Sequence, residues 1–237
     1  KDGLINAPTG SGKTYSLALP IMLCSMQRKS GKKALKAIWI TPIKALAREI
    51  YLAVQRAAEG MDLDWDVALR TGDTPSKERQ RLRKSPPDLL ITTPESLQLM
   101  LAQKQYPKFF SSLQAIVCDE WHELLGSKRG VQMELAISRL KGICPELRVW
   151  GISATIGNME EAMEALLGSD YTTRKTVMIR SDIRKEIEIR SVLPDELEKL
   201  PWAGHLGANL IDKVIPIIKS SRSTLIFTNT RSFAEIW

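Results

Sequence analysis

Cysteine and histidine are scarce in this 237-residue chain, with three of the first and two of the second. Cys24, Cys118 and Cys144 are odd in number, widely spaced and set among apolar residues. That argues against a disulfide framework and sets the expectation of buried, reduced thiols in a cytoplasmic protein. No apolar run reaches transmembrane length and no signal peptide is visible at Lys1, so no membrane partner is expected. Internal repeats and low-complexity segments are also missing. The stretch VCDEWHELLGSKRG, residues 117–130, resembles the H-E-x-x-H helix of a zinc protease, but Gly126 stands where the second histidine belongs. Acidic residues are outnumbered, 27 against 34 lysines and arginines, and the net charge of +7 favours a polyanionic partner such as nucleic acid.

Short apolar runs alternate with longer helical patterns. Strands are expected at 3–7, 37–41, 66–70, 88–92, 115–119 and 148–152, and helices at 13–28, 44–59, 76–84, 94–103, 131–142 and 159–167. This alternation predicts an α/β fold whose mostly parallel sheet is covered by helices on both faces. Ligands in such sheets bind at loops after the strand C-termini. Periodicity weakens after Ile179; 185–189 alternates as an exposed strand would, a helix is expected at 207–219 and a buried strand at 224–227. The organisation read from this is a domain over 1–180, a connector over 181–220 and the start of a second domain over 221–237. The chain opens inside an expected strand, so an upstream piece is expected to be missing.

The first strand runs into Ala7-Pro8-Thr9-Gly10-Ser11-Gly12-Lys13-Thr14, and a helix follows. Glycines let successive backbone N–H groups converge on phosphate oxygens, and a helix N-terminus adds its dipole. Lys13 supplies a point charge for the β and γ phosphates of a nucleotide, and the Thr14 hydroxyl can ligate Mg2+. Ala7 departs from the pattern, which has glycine there. The apolar strand at 116–118 delivers Asp119 and Glu120 at its C-terminal end. Asp119 suits a magnesium held largely through water, and Glu120 suits the base that orients and deprotonates the attacking water. His122, with no partner histidine in ligand spacing, reads as a sensor coupled to the nucleotide site, with an ordinary histidine as the competing reading.

Further stretches fall at strand ends in a telling order: Thr41-Pro42-Ile43-Lys44, Arg70-Thr71-Gly72-Asp73-Thr74, Thr92-Thr93-Pro94-Glu95 and Ser153-Ala154-Thr155, then Phe227-Thr228-Asn229-Thr230-Arg231. Together with the phosphate loop and Asp119-Glu120-Trp121-His122, they resemble the RecA-like P-loop NTPase motor of superfamily 2 DEXH-box helicases. The run from Asp119 to Gly130, with Gly151–Gly157 and Leu200–His205, narrows the resemblance to the large helicase-related (Lhr) family, nearest its bacterial ligase-associated branch.

The resemblance implies an ATP-dependent, magnesium-requiring DNA helicase that moves 3′-to-5′ on single-stranded DNA and unwinds DNA or RNA–DNA duplexes in repair. It also implies a DNA ligase and a nuclease as partners, and a second RecA-like domain beginning near residue 221. It puts Thr41, Pro42, Lys44, Arg70, Gly72, Asp73, Thr93, Pro94, Thr228 and Asn229 along the nucleic-acid track. Ser153, Ala154 and Thr155 become the link between nucleotide and track. Lys128 and Arg129, in the loop after the DEXH strand, are candidate DNA contacts, with a solvated basic loop as the rival reading. The basic run 28–36 reads as a solvated face, and Trp39 and Trp150 as core. Since the chain stops before any arginine-finger motif, which in such motors supplies about 10³–10⁵ in rate, weak turnover is expected of these residues alone. Two other readings stay open: an ATP-gated nucleic-acid clamp, or an RNA helicase.

Overall fold

Four-residue runs such as Ala37–Ile40 (AIWI), Leu89–Thr92 (LLIT) and Ala115–Cys118 (AIVC) are buried at every position. Strands of this kind belong inside a parallel sheet with both faces covered. Seven strands make that sheet: β1 (Asp2–Asn6), β2 (Ala37–Ile40), β3 (Val67–Arg70), β4 (Leu89–Thr92), β5 (Ala115–Cys118), β6 (Arg148–Ser153) and β7 (Thr176–Arg180). Their order is β3-β4-β2-β5-β6-β1-β7, and every pairing is parallel. All the strand C-termini therefore lie along one rim. The computed structural model describes residues 1–27, 34–181, 183, 186–193 and 210–236. They form two compact units, Lys1–Ile183 and Arg184–Trp237.

The helices of the first unit are α1 (Lys13–Gln27), α2 (Lys44–Gly60), α3 (Ser76–Lys84), α4 (Pro94–Leu101), α5 (Tyr106–Phe110), α6 (Trp121–Leu124), α7 (Lys128–Ile143) and α8 (Met159–Leu167). On one face, Leu17 and Met22 of α1 and Ile50 and Val54 of α2 share a core with Trp39, Val117 and Ile152. On the other, Met100, Phe110, Trp121, Leu140 and Met163 share one with Ile38, Ile116 and Val149. Helix starts are fixed by side-chain caps: Thr93 accepts from the Ser96 N–H, Ser127 from Gly130 and Asn158 from Glu161. Ser127 starts α7 three residues before the expected position, so Lys128 and Arg129 sit in its first turn rather than in a loop. Gly130 is required there, because a Cβ would stand 2.1 Å from the Leu124 carbonyl oxygen.

Other expectations need correction. Cys24, on α1, is exposed, while Cys118 and Cys144 are buried. The short helices α5 and α6 and strand β7 were not foreseen. In the second unit, α9 (Ile211–Ser220) and α10 (Arg231–Ile236) form. The expected strand at 224–227 does not, and its Leu225 and Phe227 are 77% and 86% exposed. A strand gains stability only from neighbours, and the described residues of this unit offer none to pair with. Nor do 186–189 form a strand. The basic residues 28–33, Lys185, Pro194 and the run 200–209, with Trp202 and His205, lie outside the described residues, as does Trp237. Among the described residues, no helix is long and apolar enough to cross a membrane.

Candidate nucleotide site and strand-end surface

The loop after β1 is held at both ends by its own backbone. The Ala7 N–H donates to the Ser153 carbonyl at 3.0 Å, and the Ser11 N–H donates to the Pro8 carbonyl at 3.3 Å. Gly10 and Gly12 have φ of 79° and 82°, a region that side-chain-bearing residues rarely enter. Those two positions turn the chain into the N-terminus of α1. Ala7 is buried with Ile5 and Leu17, so the methyl that replaces the usual glycine packs into the core beside the loop. Lys13 Nζ donates to the Ala7 carbonyl at 2.7 Å, folding its charge over the loop. Thr14 is half-buried on the first turn of α1. The Ser11 hydroxyl is buried without a hydrogen-bond partner among the described residues, as befits a group awaiting one. A cavity of about 590 Å³ opens beside Ala7, Ser11 and Lys13, with Leu17, Ile21 and Trp150 among its walls.

Asp119 follows β5, anchored by its N–H to the Ile40 carbonyl at 2.7 Å. Its two carboxylate oxygens accept from the Trp39 indole N–H at 3.1 Å and the Glu120 N–H at 2.9 Å. Burial raises the Asp119 carboxyl above its ordinary range and the negative charge of Glu120 adds to this, while the Trp39 hydrogen bond and the charge of Lys13 pull the other way. Glu120 has φ 46° and ψ 47°, left-handed backbone that costs energy in a non-glycine residue and recurs at functional sites. Its Oε2 is buried without a hydrogen bond; His122 Nδ1 lies 3.5 Å away. The same Nδ1 is 2.7 Å from the Ser153 hydroxyl, and His122 Nε2 is 3.4 Å from Glu123 Oε1. Ser153 also donates to the Thr155 carbonyl at 3.4 Å. A short polar chain thus joins Glu120, His122, Ser153 and Thr155, with half-buried Ala154 between the last two.

Among the described residues no group of three or more His, Cys, Asp or Glu could enclose a metal ion, which leaves a zinc reading without ligands. Magnesium keeps most of its water and takes one or two protein oxygens beside substrate phosphates. A buried carboxylate pushed above its range and a neighbouring orphaned carboxylate oxygen fit such a cation.

The strand-end residues divide into buried and open ones. Thr41, Pro42, Thr93 and Pro94 are buried and shape the rim through their backbone. Lys44 and Asp73 are exposed and paired at 2.8 Å, bridging the loops after β2 and β3. The Gly72 carbonyl accepts from Arg79 at 2.8 Å, and Arg79 Nε donates to the Thr74 carbonyl at 2.6 Å. Lys128 is exposed, whereas Arg129 reaches the Pro42 carbonyl at 2.9 Å and Glu95 Oε1 at 2.6 Å. Burial pushes the Glu95 carboxyl up, but its own backbone N–H and Arg129 outweigh this and hold it below its ordinary range. Arg70 is 5% exposed, at the C-terminal end of β3, and lines a cavity with Arg83 and Lys84. In the second unit, Thr228 is half-buried, donating to the Thr230 carbonyl at 3.1 Å, and Asn229 is exposed. Sequence reasoning missed Trp39, Arg79 and Glu95 as partners of the site. Only the position of Glu95, one residue past the Thr-Pro pair, hinted at a role.

Residues 1–162 match the profile of the DEAD/DEAH box helicases. The chain belongs to that family. This helicase chain is 35% identical over 246 residues to the ATP-dependent helicase Lhr-Core of Methanothermobacter thermautotrophicus, covering 98% of this chain and 28% of that protein. It is 32% identical to the Lhr helicase/uracil glycosylase of Escherichia coli, covering 98% of this chain and 17% of that one. The structure of Mycobacterium smegmatis helicase Lhr bound to ssDNA and AMP-PNP superposes with a TM-score of 0.77 at 28% identity, over 99% of this chain and 31% of that chain. The helicase chain therefore spans less than a third of these relatives, and its sheet is the RecA-like fold of superfamily 2.

Proposed function

We propose that this chain carries the ATP-hydrolysing half of an Lhr-type DNA helicase or translocase. The observation that supports it most is the polar chain from Glu120 through His122 to Ser153, which runs from the base beside the phosphate loop to the rim of strand-end loops. Lys13 and the N–H groups of 9–14 bind and orient the triphosphate of ATP. Thr14 and Asp119 would hold Mg2+, which when bound neutralises phosphate charge and polarises the γ-phosphoryl group. Glu120, strained and lacking a hydrogen bond at Oε2, orients the attacking water and takes its proton. His122 and Ser153 report the nucleotide state to Thr155 and to the rim.

On that rim, Thr41, Pro42, Lys44, Gly72, Asp73, Thr93 and Pro94 form a single-strand track that grips phosphates without reading bases. Lys128, free of the Glu95 brace, is the cation of α7 best placed to join it, and Thr228 and Asn229 are candidate nucleic-acid contacts of a second RecA-like domain. Family resemblance supports the finer reading: 3′-to-5′ movement, unwinding of DNA or RNA–DNA duplexes, cytoplasmic DNA repair, and work beside a ligase and a nuclease. The Lhr relative bound to ssDNA and AMP-PNP supports DNA over RNA as the strand. The test is ATP hydrolysis by the natural full-length protein with single-stranded DNA, the matching RNA, or no strand. Stimulation by DNA is expected. Stimulation by RNA alone would move the protein to the RNA helicases, and a flat response with nucleotide still bound would make it a clamp.

A further inference from the structure

A second cavity, of about 650 Å³, lies on the face of the sheet opposite α1 and α2, at the β3 edge. Its size is that of pockets that take small ligands. Arg70 from β3, Arg83 and Lys84 from the last turn of α3, and Lys104 and Lys108 around α5 all line it. Five cations meet there without one lining carboxylate. The remaining wall includes Met100, Phe109 and Tyr106. Tyr106 is covered on one side by Arg139, whose guanidinium carbon is 4.1 Å from the ring centroid.

Arg70 is the informative member. It is 5% exposed and lines the cavity, and the hydrogen bond found at this residue is to its backbone carbonyl, from Thr92. Burial, and after it the positive charges of Arg83 and Arg79, pull its pKa down from the ordinary value. A desolvated charge among like charges is costly and asks for an anion. Arginine's planar fork matches phosphate oxygens, and an aromatic wall suits the flat face of a base.

We infer that this cavity is a second phosphate site, separate from the phosphate loop, which takes a nucleotide unit with its phosphate against Arg70, Arg83 and Lys84 and its base against the Tyr106–Phe109 wall. The unit is a free nucleotide or one nucleotide of a bound strand. The site does not depend on ATP turnover, so it stands or falls apart from the motor reading.

The experiment is calorimetric titration of the 237-residue chain carrying Lys13→Ala, which weakens the phosphate loop. The probes are 5′-AMP and a 5′-phosphorylated ten-nucleotide DNA strand. At least one probe should still bind, and Arg83→Ala/Lys84→Ala should weaken it tenfold or more. Both of those residues are exposed, so the fold is retained, as an unchanged melting curve verifies. Arg70→Gln should weaken binding likewise. Lys77→Ala, which removes a charge from the same helix outside the cavity, should change it less than twofold. AMP displaced by the strand identifies a strand nucleotide, and AMP bound but not displaced identifies a free one; either supports the site. No binding of either probe, or equal weakening by Lys77→Ala, overturns it.

Discussion

The phosphate loop and the basic cavity both offer positive charge to a phosphate, yet they are built in opposite ways. The loop relies on backbone N–H groups, two left-handed glycines and one lysine, with Asp119 and Glu120 close by. The cavity relies on five cationic side chains and an aromatic wall, with no carboxylate lining it. Cations alone hold a phosphate. Breaking one also needs a base and a place for a metal, and only the first region keeps acids beside its cation. The cost of that arrangement shows in Asp119, raised by burial, and in the strained backbone of Glu120. The cost of the second shows in Arg70, desolvated beside the positive charges of Arg83 and Arg79.

The contrast can be broken most sharply at Lys13. A charge-assisted hydrogen bond is worth about 1.5–3 kcal/mol, so Lys13→Ala should weaken binding of an ATP analogue by roughly tenfold to a hundredfold. AMP binding at the basic cavity should survive the change, and equilibrium titration reads both. Next comes Ser153→Ala, which removes the 2.7 Å contact with His122. Its expected effect is about 0.5–1.5 kcal/mol, read as a severalfold drop in the ratio of strand-stimulated to basal hydrolysis. Nucleotide affinity should hardly move, and a fall in affinity with an unchanged ratio would contradict the coupling role.

Glu95 sharpens the comparison on the rim, where acid and cation brace structure instead of meeting phosphate. Its carboxyl is held below the ordinary range, so the unfolded chain binds that proton more tightly than the folded one. The resulting stability is present above the unfolded pKa and is lost as pH falls through the folded one. Glu95→Gln should therefore lower the melting temperature slightly at pH 7, by an amount equivalent to less than about 1 kcal/mol for so open a pair. The difference should close in acid. It should also loosen strand binding, because Arg129 would no longer tie the loops after β2 and β4 together. Were Arg129 a direct phosphate ligand, removing the Glu95 charge would tighten binding instead. The smallest effect is expected at the exposed Lys44–Asp73 pair. A double-mutant cycle on stability there should give a coupling of about 0.2–1 kcal/mol that shrinks in salt.

Much of this was legible in the residues because the signals are local. Gly10-Ser11-Gly12-Lys13-Thr14 carries its own backbone requirement, and apolar quartets such as AIWI and AIVC leave a buried strand as the economical reading. Asp119-Glu120 follows from standing at the end of such a quartet. What could not be read depends on distant partners. Strand β7 exposes Met178 and Ile179 at the sheet edge, so it lacks the fully apolar pattern of the inner strands. Helices α5 and α6 are only five and four residues long, too short for a 3.6-residue period to show. Apolar Leu225, Ile226 and Phe227 promised a strand, but apolarity cannot supply the neighbour a strand needs. Arg70 read as a contact of the nucleic-acid track, and only the fold shows it 5% exposed and lining a cavity with four other cations.

The most direct test of the central claim is ATP hydrolysis by the natural full-length protein with Glu120→Gln, measured with and without single-stranded DNA. General-base catalysis contributes about 10²–10⁴-fold. The account expects a strand-stimulated rate in the native protein, a loss of that order in the variant, and nucleotide binding kept. A variant that hydrolyses ATP at the native rate, with the strand still stimulating it, would contradict Glu120 as the base and the motor built around it.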